Sequence, residues 1–592
     1  SAAFSGGLVG TQTGAVTITD SSGTITATTL SGIGEQTDGV VTAASGGITI
    51  SGSATELTAA LVTTGSLVVA GNADVTITDT GSVAATVLSA IGAKTDGTAT
   101  CSGALTITGT TAEITAALVT TETLVVASSA NVTFSSDPTA AELAAINTAV
   151  GGTITLNDVS QTFSGSAANV SAAFAGGLAG TQTGAVTIDD TSGTITATTL
   201  SGIGEQTDGV VTAASGGITI SGSATELTAA LVTTGSLVVA GSATLTFDDD
   251  PTGAQLAAIN PKTSGTITLN STSQNFTGTA TELAAAFDGF GTNALSGAIT
   301  ISTGTVSTTE LKTISDATSG AITLPNTSFT LSGTSSDLAD ALSGNFTNYA
   351  GNVTLTDAAP SAANLAIINN KTSGTITLNA NDATFSGTVA DLSAAFSGGL
   401  VGTQTGAVTI TDSSGTITAT TLSGIGEQTD GVVTAASGGI TISGSATELT
   451  AALVTTGSLV VAGNADVTIT DTGSVAATVL SAIGAKTDGT ATCSGALTIT
   501  GTTAEITAAL VTTETLVVAS SANVTFSSDP TAAELAAINT AVGGTITLND
   551  VSQTFSGSAA NVSAAFAGGL AGTQTGAVTI DDTSGTIAAT TL

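Results

Sequence analysis

The sequence predicts a β-rich repeat solenoid, and three observations carry that reading. Residues Ser1–Leu200 and Ser393–Leu592 are identical except for Thr196 against Ala588, and Ser1–Gly71 returns at Ser171–Gly241 with four substitutions. An apolar anchor recurs about every 28 residues, from Leu30, Leu57, Leu88 and Ile114 to Leu535, Val562 and Leu592, 21 times in all. The apolar residues are Val, Ile, Leu and Ala interleaved with Thr and Ser, a mixture that suits pleated, half-buried strands. Residues 1–592 are therefore read as one continuous array of about 21 units, an excerpt of a longer chain whose targeting segments lie elsewhere.

Each unit reads as strand, tight turn, strand and short helix. Leu67–Ala70 is followed by Val75–Thr78, Leu124–Ala127 by Val132–Phe134, and Val40–Val41 by Ile48–Ile50. Small residues such as Ser45–Gly47 and Gly71–Ala73 fill the turns. The second strand alternates apolar residues with Thr, so one face is buried and the other wet.

The helix follows, and two kinds alternate. One kind places its second apolar group three residues after the anchor, as in Leu30/Ile33, Leu88/Ile91 and Leu256/Ile259. The other places it four residues on, as in Leu57/Leu61, Ile114/Leu118 and Val170/Phe174. Either spacing puts both side chains on one helix face. Ser53–Glu56, Thr110–Glu113, Thr279–Glu282 and Ser307–Glu310 fit the reciprocal capping box. Asp137-Pro138 and Asp250-Pro251 fit an N-cap followed by proline in the first turn.

No unit of about 28 residues buries its own apolar face, so neighbours must stack. In a solenoid, equivalent strands pair in parallel and advance about 4.8 Å per unit. Helices need roughly 8–10 Å between axes, so the coil must curve, stagger its helices or keep them short. The alternative is a continuous mixed ribbon, in which each unit's strands form an antiparallel hairpin and crossovers throw helices onto alternate faces. The solenoid is the reading adopted.

Charge excludes several classes of function. There are 43 Asp and Glu against five basic residues, all Lys, giving a net charge of -38. Nucleic-acid binding needs cationic groups to neutralise phosphate, so no nucleic-acid partner is expected. No stretch of 18 apolar residues offers a membrane span. With no His and no Arg, histidine-based triads, histidine-ligated metals and arginine clamps are ruled out, and no enzyme is expected. Gly6–Gly10 lacks the phosphate-binding lysine and reads as a turn. Cys101 and Cys493 occupy the same position in the two long copies and read as small buried residues, not a disulfide.

The acids that end the strand before three-spaced helices are the candidate site. They are Asp20, Asp79, Asp137, Asp189, Asp190, Asp248, Asp249, Asp250 and Asp357, where four-spaced helices have Gly52, Gly109 or Gly165. Hard oxygen donors at a turn suit Ca²⁺, with Asp248, Asp249 and Asp250 and then Asp189 and Asp190 as the ligands to examine. Helix capping, with the carboxylate at the positive end of the dipole, is the competing reading.

Units such as Val75–Gly97, "VTITDTGSVAATVLSAIGAKTDG", resemble those of giant β-strand-repeat proteins of bacterial cell surfaces, marine cyanobacteria above all. The resemblance implies an exported surface-layer, fibre or adhesion component. The expected function is a structural element of a cell surface or extracellular filament, partnered by neighbouring repeats or by other copies of itself. The alternative is a stalk or adhesin that meets polysaccharide, ice or another regular surface through its Thr/Ser faces, with a calcium-dependent version.

Overall fold

The computed structural model describes residues 2–4, 9–10, 12–63, 68–233, 238–302, 306–324, 330–455 and 460–591. Leu67, the last anchor Leu592 and most of the Gly6–Gly10 turn lie outside them. The chain divides into two compact units: Ser1–Gln274 with Ala285–Asp288, and Asn275–Ala284 with Gly289–Leu592.

In both units every strand pairing among the described residues is parallel, and each pairing joins strands of successive coils. In the first unit Gly23–Thr26, Ile48–Gly52, Asp74–Ile77, Ala99–Cys101 and Val125–Val126 lie side by side in that order. In the second, Gly415–Thr418, Ile440–Gly444, Asp466–Ile469, Ala491–Cys493 and Val517–Val518 repeat the arrangement. The two strands of one unit, such as Val41–Thr42 and Ile48–Gly52, belong to different sheets. This overturns the antiparallel-hairpin ribbon. A turn of five residues sits between those strands and bends the chain from one sheet to the next. Repeating strand–helix units on parallel sheets are a solenoid architecture.

The sheets are short because each ladder steps sideways. Asp74–Ile77 is the second strand of its coil, yet its next partner, Ala99–Cys101, is the first strand of the following coil. An extra strand, Ser82–Ala84, intervenes before the helix Ala85–Gly92 and takes Thr106–Gly109 as its partner. Pairing thereby passes from second strands to first strands of the following coils.

Every described anchor is buried. Leu30, Leu57, Leu88, Ile114, Leu143, Val170, Leu200, Leu227 and Leu256 are fully enclosed in the first unit, and Leu283, Leu311, Leu338, Leu365 and Leu392 likewise in the second. The helices are short, eight residues in Ala27–Gly34 and Ala85–Gly92 and ten in Ala140–Ala149, so the core and not helix propensity holds them. Edge-to-face ring pairs, Phe163 with Phe174 at 5.2 Å and Phe385 with Phe396 at 5.1 Å, tie strand to helix where the anchor's partner is aromatic. Ion pairing contributes little: Lys312 and Asp316, 3.4 Å apart on an exposed helix face, make the one salt bridge among the described residues.

Candidate functional site

The acids predicted as a site sit in the turn after the second strand, and four of them, Asp79, Asp190, Asp249 and Asp357, reach back one coil. The Asp249 Oδ1 accepts a hydrogen bond from the backbone N–H of Ala224 at 2.7 Å, and the Asp190 Oδ2 accepts from Ala167 at 2.6 Å. Ala224 and Ala167 are the first residues of the helices Ala224–Leu231 and Ala167–Phe174. These N–H groups have no partner inside the helix and lie at its positive end, where a carboxylate is favoured. Asp79 does the same for Ala54, Asp357 for Ser335, Asp412 for Val389, Asp471 for Ala446 and Asp582 for Ala559. Ser136 and Ser528 replace the carboxylate with a hydroxyl at Thr111 and Thr503.

Those helices also carry their own caps. Ser223 Oγ accepts from the Glu226 N–H at 3.3 Å while Glu226 Oε2 accepts from the Ser223 N–H at 2.8 Å. With Asp249 on Ala224, three N–H groups of one helix start are satisfied by three side chains, one of them from the next coil. The Ser223 backbone N–H, and then its hydroxyl, hold the Glu226 carboxyl below its ordinary value. Ser53 does the same to Glu56, and Ser445 to Glu448.

The remaining predicted ligands do other work. The Asp248 and Asp189 N–H groups donate to the carbonyls of Gly222 and Gly165, each at 3.0 Å. Asp250 Oδ1 accepts from Asn270 Nδ2 at 3.2 Å. Asp250 is not the N-cap that the Asp-Pro pair suggested. Thr252 is, with Gln255 completing its box, and Thr139 with Glu142 takes that role after Asp137-Pro138. Proline thus lies just outside the helix, because a Thr one residue further on offers a capping hydroxyl.

The Asp249 and Asp250 carboxylates therefore address different partners, and the bond given for Asp248 is made by its backbone. Among the described residues no group of three or more His, Cys, Asp and Glu side chains stands where a metal ion could be held. Asp249 and Asp190 face N–H donors at the positive end of a helix, a setting made for an anionic cap and unfavourable to a cation.

Sequence reasoning missed a second recurrent feature, the Thr-Asp/Ser-Gly triplet just after three-spaced helices. The hydroxyls of Thr37, Thr207, Thr318 and Thr372 donate to carbonyls one coil back, on Gly14, Gly184, Gly297 and Gly351, at 2.8 to 3.1 Å. Each also accepts the N–H of the glycine two residues on. A Cβ on Gly39 would lie 2.2 Å from the Gly14 oxygen, and one on Gly209 2.1 Å from that of Gly184, so the close approach of the coils requires glycine. The signal was present: the triplet recurs as Thr37-Asp38-Gly39, Thr263-Ser264-Gly265 and Thr372-Ser373-Gly374.

Clefts between coils are lined by small polar groups. One of about 510 Å³ is bordered by Asp137, Thr139, Asp158 and Gln161, whose amide donates to the Pro138 carbonyl at 3.1 Å. Among the described residues no helix is long and apolar enough to cross a membrane.

No protein-family model and no curated protein matches the chain. Solved structures with some likeness include the leucine-rich-repeat ectodomain of the plant receptor kinase GASSHO1/SCHENGEN3 from Arabidopsis thaliana, at 12% identity and a TM-score of 0.15, covering 94% of this chain and 64% of that one. The ectodomain of the Arabidopsis receptor kinase HAESA matches at 10% identity and a TM-score of 0.14, covering 89% and 81%. The chain thus spans less than two thirds of the first of these. Likeness at such scores carries no argument about this chain's activity or partners.

Proposed function

We propose that the chain is a non-enzymatic structural component of a bacterial cell surface or extracellular filament, built by stacking repeats. The observation that supports this most directly is the use of polar side chains. At nine helices among the described residues, a side chain from the next coil completes the helix start. Carboxylates that could serve chemistry are thereby tied to coil-to-coil cohesion. In this reading the working unit is a pair of coils, about 56 residues, and the two helix types alternate along it. All nine of these helices have apolar groups four apart, and no such cap is seen among the described residues at a helix with groups three apart. Stability in such an array is a sum of nearest-neighbour terms, which lets length vary freely.

The test is electron microscopy of the native material, prepared with and without a calcium chelator, beside the chain lacking residues 201–256. Filaments of regular axial repeat that survive chelation, and a deleted chain that still melts cooperatively, are the expected results. Failure of the deleted chain to fold would sink the proposal. Filaments that dissolve on chelation would replace it with a calcium-dependent array.

A second reading, a stalk or adhesin that meets a neutral polysaccharide, is favoured by outward-facing hydroxyl rows. Thr194, Thr219 and Thr244 stand in register on adjacent strands, with Thr196, Ser221, Thr246 and Thr268 beside them. Retention of the chain on a polysaccharide matrix, lost on Thr219→Lys, would support it.

A further inference from the structure

Three segments, 31–71, 201–241 and 423–463, have one and the same sequence. Their described strands pair with those of the preceding segments, 1–30, 171–200 and 393–422, in the same register. Val16 pairs with Val41 and Thr17 with Thr42, Val186 with Val211 and Thr187 with Thr212, and Val408 with Val433 and Thr409 with Thr434. Four further rungs repeat as well, Thr24 with Thr49 matching Thr194 with Thr219 and Thr416 with Thr441. The threonine bond also recurs, Thr37 to Gly14, Thr207 to Gly184 and Thr429 to Gly406, at 2.7 to 2.8 Å. The preceding segments differ only at Ser5/Ala175, Val9/Ala179, Thr19/Asp189 and Ser21/Thr191, and none of these is a residue of the paired rungs.

We propose that these interfaces are interchangeable between molecules: Val16–Thr17 and Gly23–Thr26 of one chain seat on Val211–Thr212 and Ile218–Gly222 of a second copy, in the register they use on their own Val41–Thr42 and Ile48–Gly52. The partner is another copy of this chain, and the surface is the parallel strand edge already used within each molecule. Exchange between elements with the same rung residues preserves the strand pairing, so its main cost is connectivity. Concentration then decides between closure within a chain and splicing between chains. The proposal deepens the array reading and rests on it, giving such an array a way to join molecules lengthwise without a dedicated end domain.

Adjacent strands lie about 4.8 Å apart, inside the roughly 4.4–6.8 Å Cα range of a disulfide, so paired positions can report the exchange. The test uses two full-length populations in a Cys101→Ala, Cys493→Ala background, one with Thr17→Cys and the other with Thr212→Cys. They are mixed unfolded, refolded together and gently oxidised. The expected result is a disulfide-linked heterodimer whose yield rises with protein concentration and exceeds at least fivefold that of Thr17→Cys paired with Thr225→Cys, an exposed helix position. Equal yields in the two pairings would overturn the proposal, as would no cross-link from chains that regain their native circular dichroism. Should either variant fail to fold, Thr187→Cys with Thr42→Cys probes the same register, and the same two results support or overturn it. Filaments in native material without the cross-link would remove the exchange and leave the array reading intact. The cross-link without filaments would do the reverse.

Discussion

The hydroxyl of Thr207 donates to the carbonyl oxygen of Gly184, 23 residues earlier, at 2.8 Å, in a buried position. It accepts the N–H of Gly209 at 2.9 Å in the same geometry. One side chain thus closes a turn and joins two coils, and the same triplet does so along the chain.

Thr207→Val keeps the shape and removes both bonds, leaving the Gly184 oxygen and the Gly209 N–H buried without partners. The expected cost is about 1–3 kcal/mol, confined to the coils around residue 207, because the array is held by neighbour terms. Thr207→Ser should restore most of it. Amide hydrogen exchange resolves the effect: faster exchange near 184 and 209, with none near 429, is the expected pattern.

The cross-coil cap makes a prediction that ordinary capping does not. Asp249→Ala should loosen the start of the helix Ala224–Leu231, which lies a full coil earlier in sequence, by about 0.5–2 kcal/mol. Asp249→Asn keeps an acceptor oxygen and should cost less. Exchange protection at Ala224, read by mass spectrometry, decides the matter; loss confined to the neighbourhood of residue 249 would contradict it.

Glu56, Glu226 and Glu448 have carboxyls held below their ordinary value by the Ser53, Ser223 and Ser445 N–H groups. A folded-state value below the unfolded one gives stability that is complete above the unfolded carboxylate value, about 4.3, and is lost as pH falls from there through the lowered folded-state value. Protonation also relieves the repulsion of a -38 chain, with the opposite sign. The separation comes from the triple variant E56Q/E226Q/E448Q. Gln255 already fills this position at Thr252, accepting its N–H at 3.0 Å, so the variant should fold. Its stability should fall less between pH 6 and pH 3 than that of the parent chain, as followed by circular dichroism.

Cys101 and Cys493 are buried, and burial, with the charge of Asp79 or Asp471 second, pushes each thiol up to about 12. Neither should react with a thiol-specific reagent at pH 8 until the chain unfolds, because the thiolate is the reactive species. Two equivalents released only in denaturant is the expected titration.

Much of the architecture is legible in the residues. The anchors repeat because each coil must bury one apolar group from its helix, so a period survives wherever Leu30, Leu57 and their successors are fully enclosed. The alternation of Ile48, Ile50 with Thr49, Ser51 gives the strand its two faces. The capping boxes at Ser53 and Thr110 are local and were readable as such. The carboxylates were not, because Asp190 and Asp249 act on helices that precede them by a coil, and a local reading assigns a turn acid to the helix that follows it.

The sequence alone determined that the chain repeats, where its coils turn, and that no histidine or arginine chemistry is open to it, because composition and period are properties of the chain itself. Tertiary structure decided which strand meets which. Asp74–Ile77 hands its ladder to a first strand, Ala99–Cys101, through spatial neighbours that no local pattern encodes. Even local winding falls to it: the residues Ala-Thr-Glu-Leu-Thr-Ala-Ala-Leu form one α-helix at Ala224–Leu231, but α-helix and then a wider π turn at Ala54–Leu57 and Thr58–Val62. The physical reason is that short helices draw their stability from the coils they pack on, and those coils differ while the helix sequence does not.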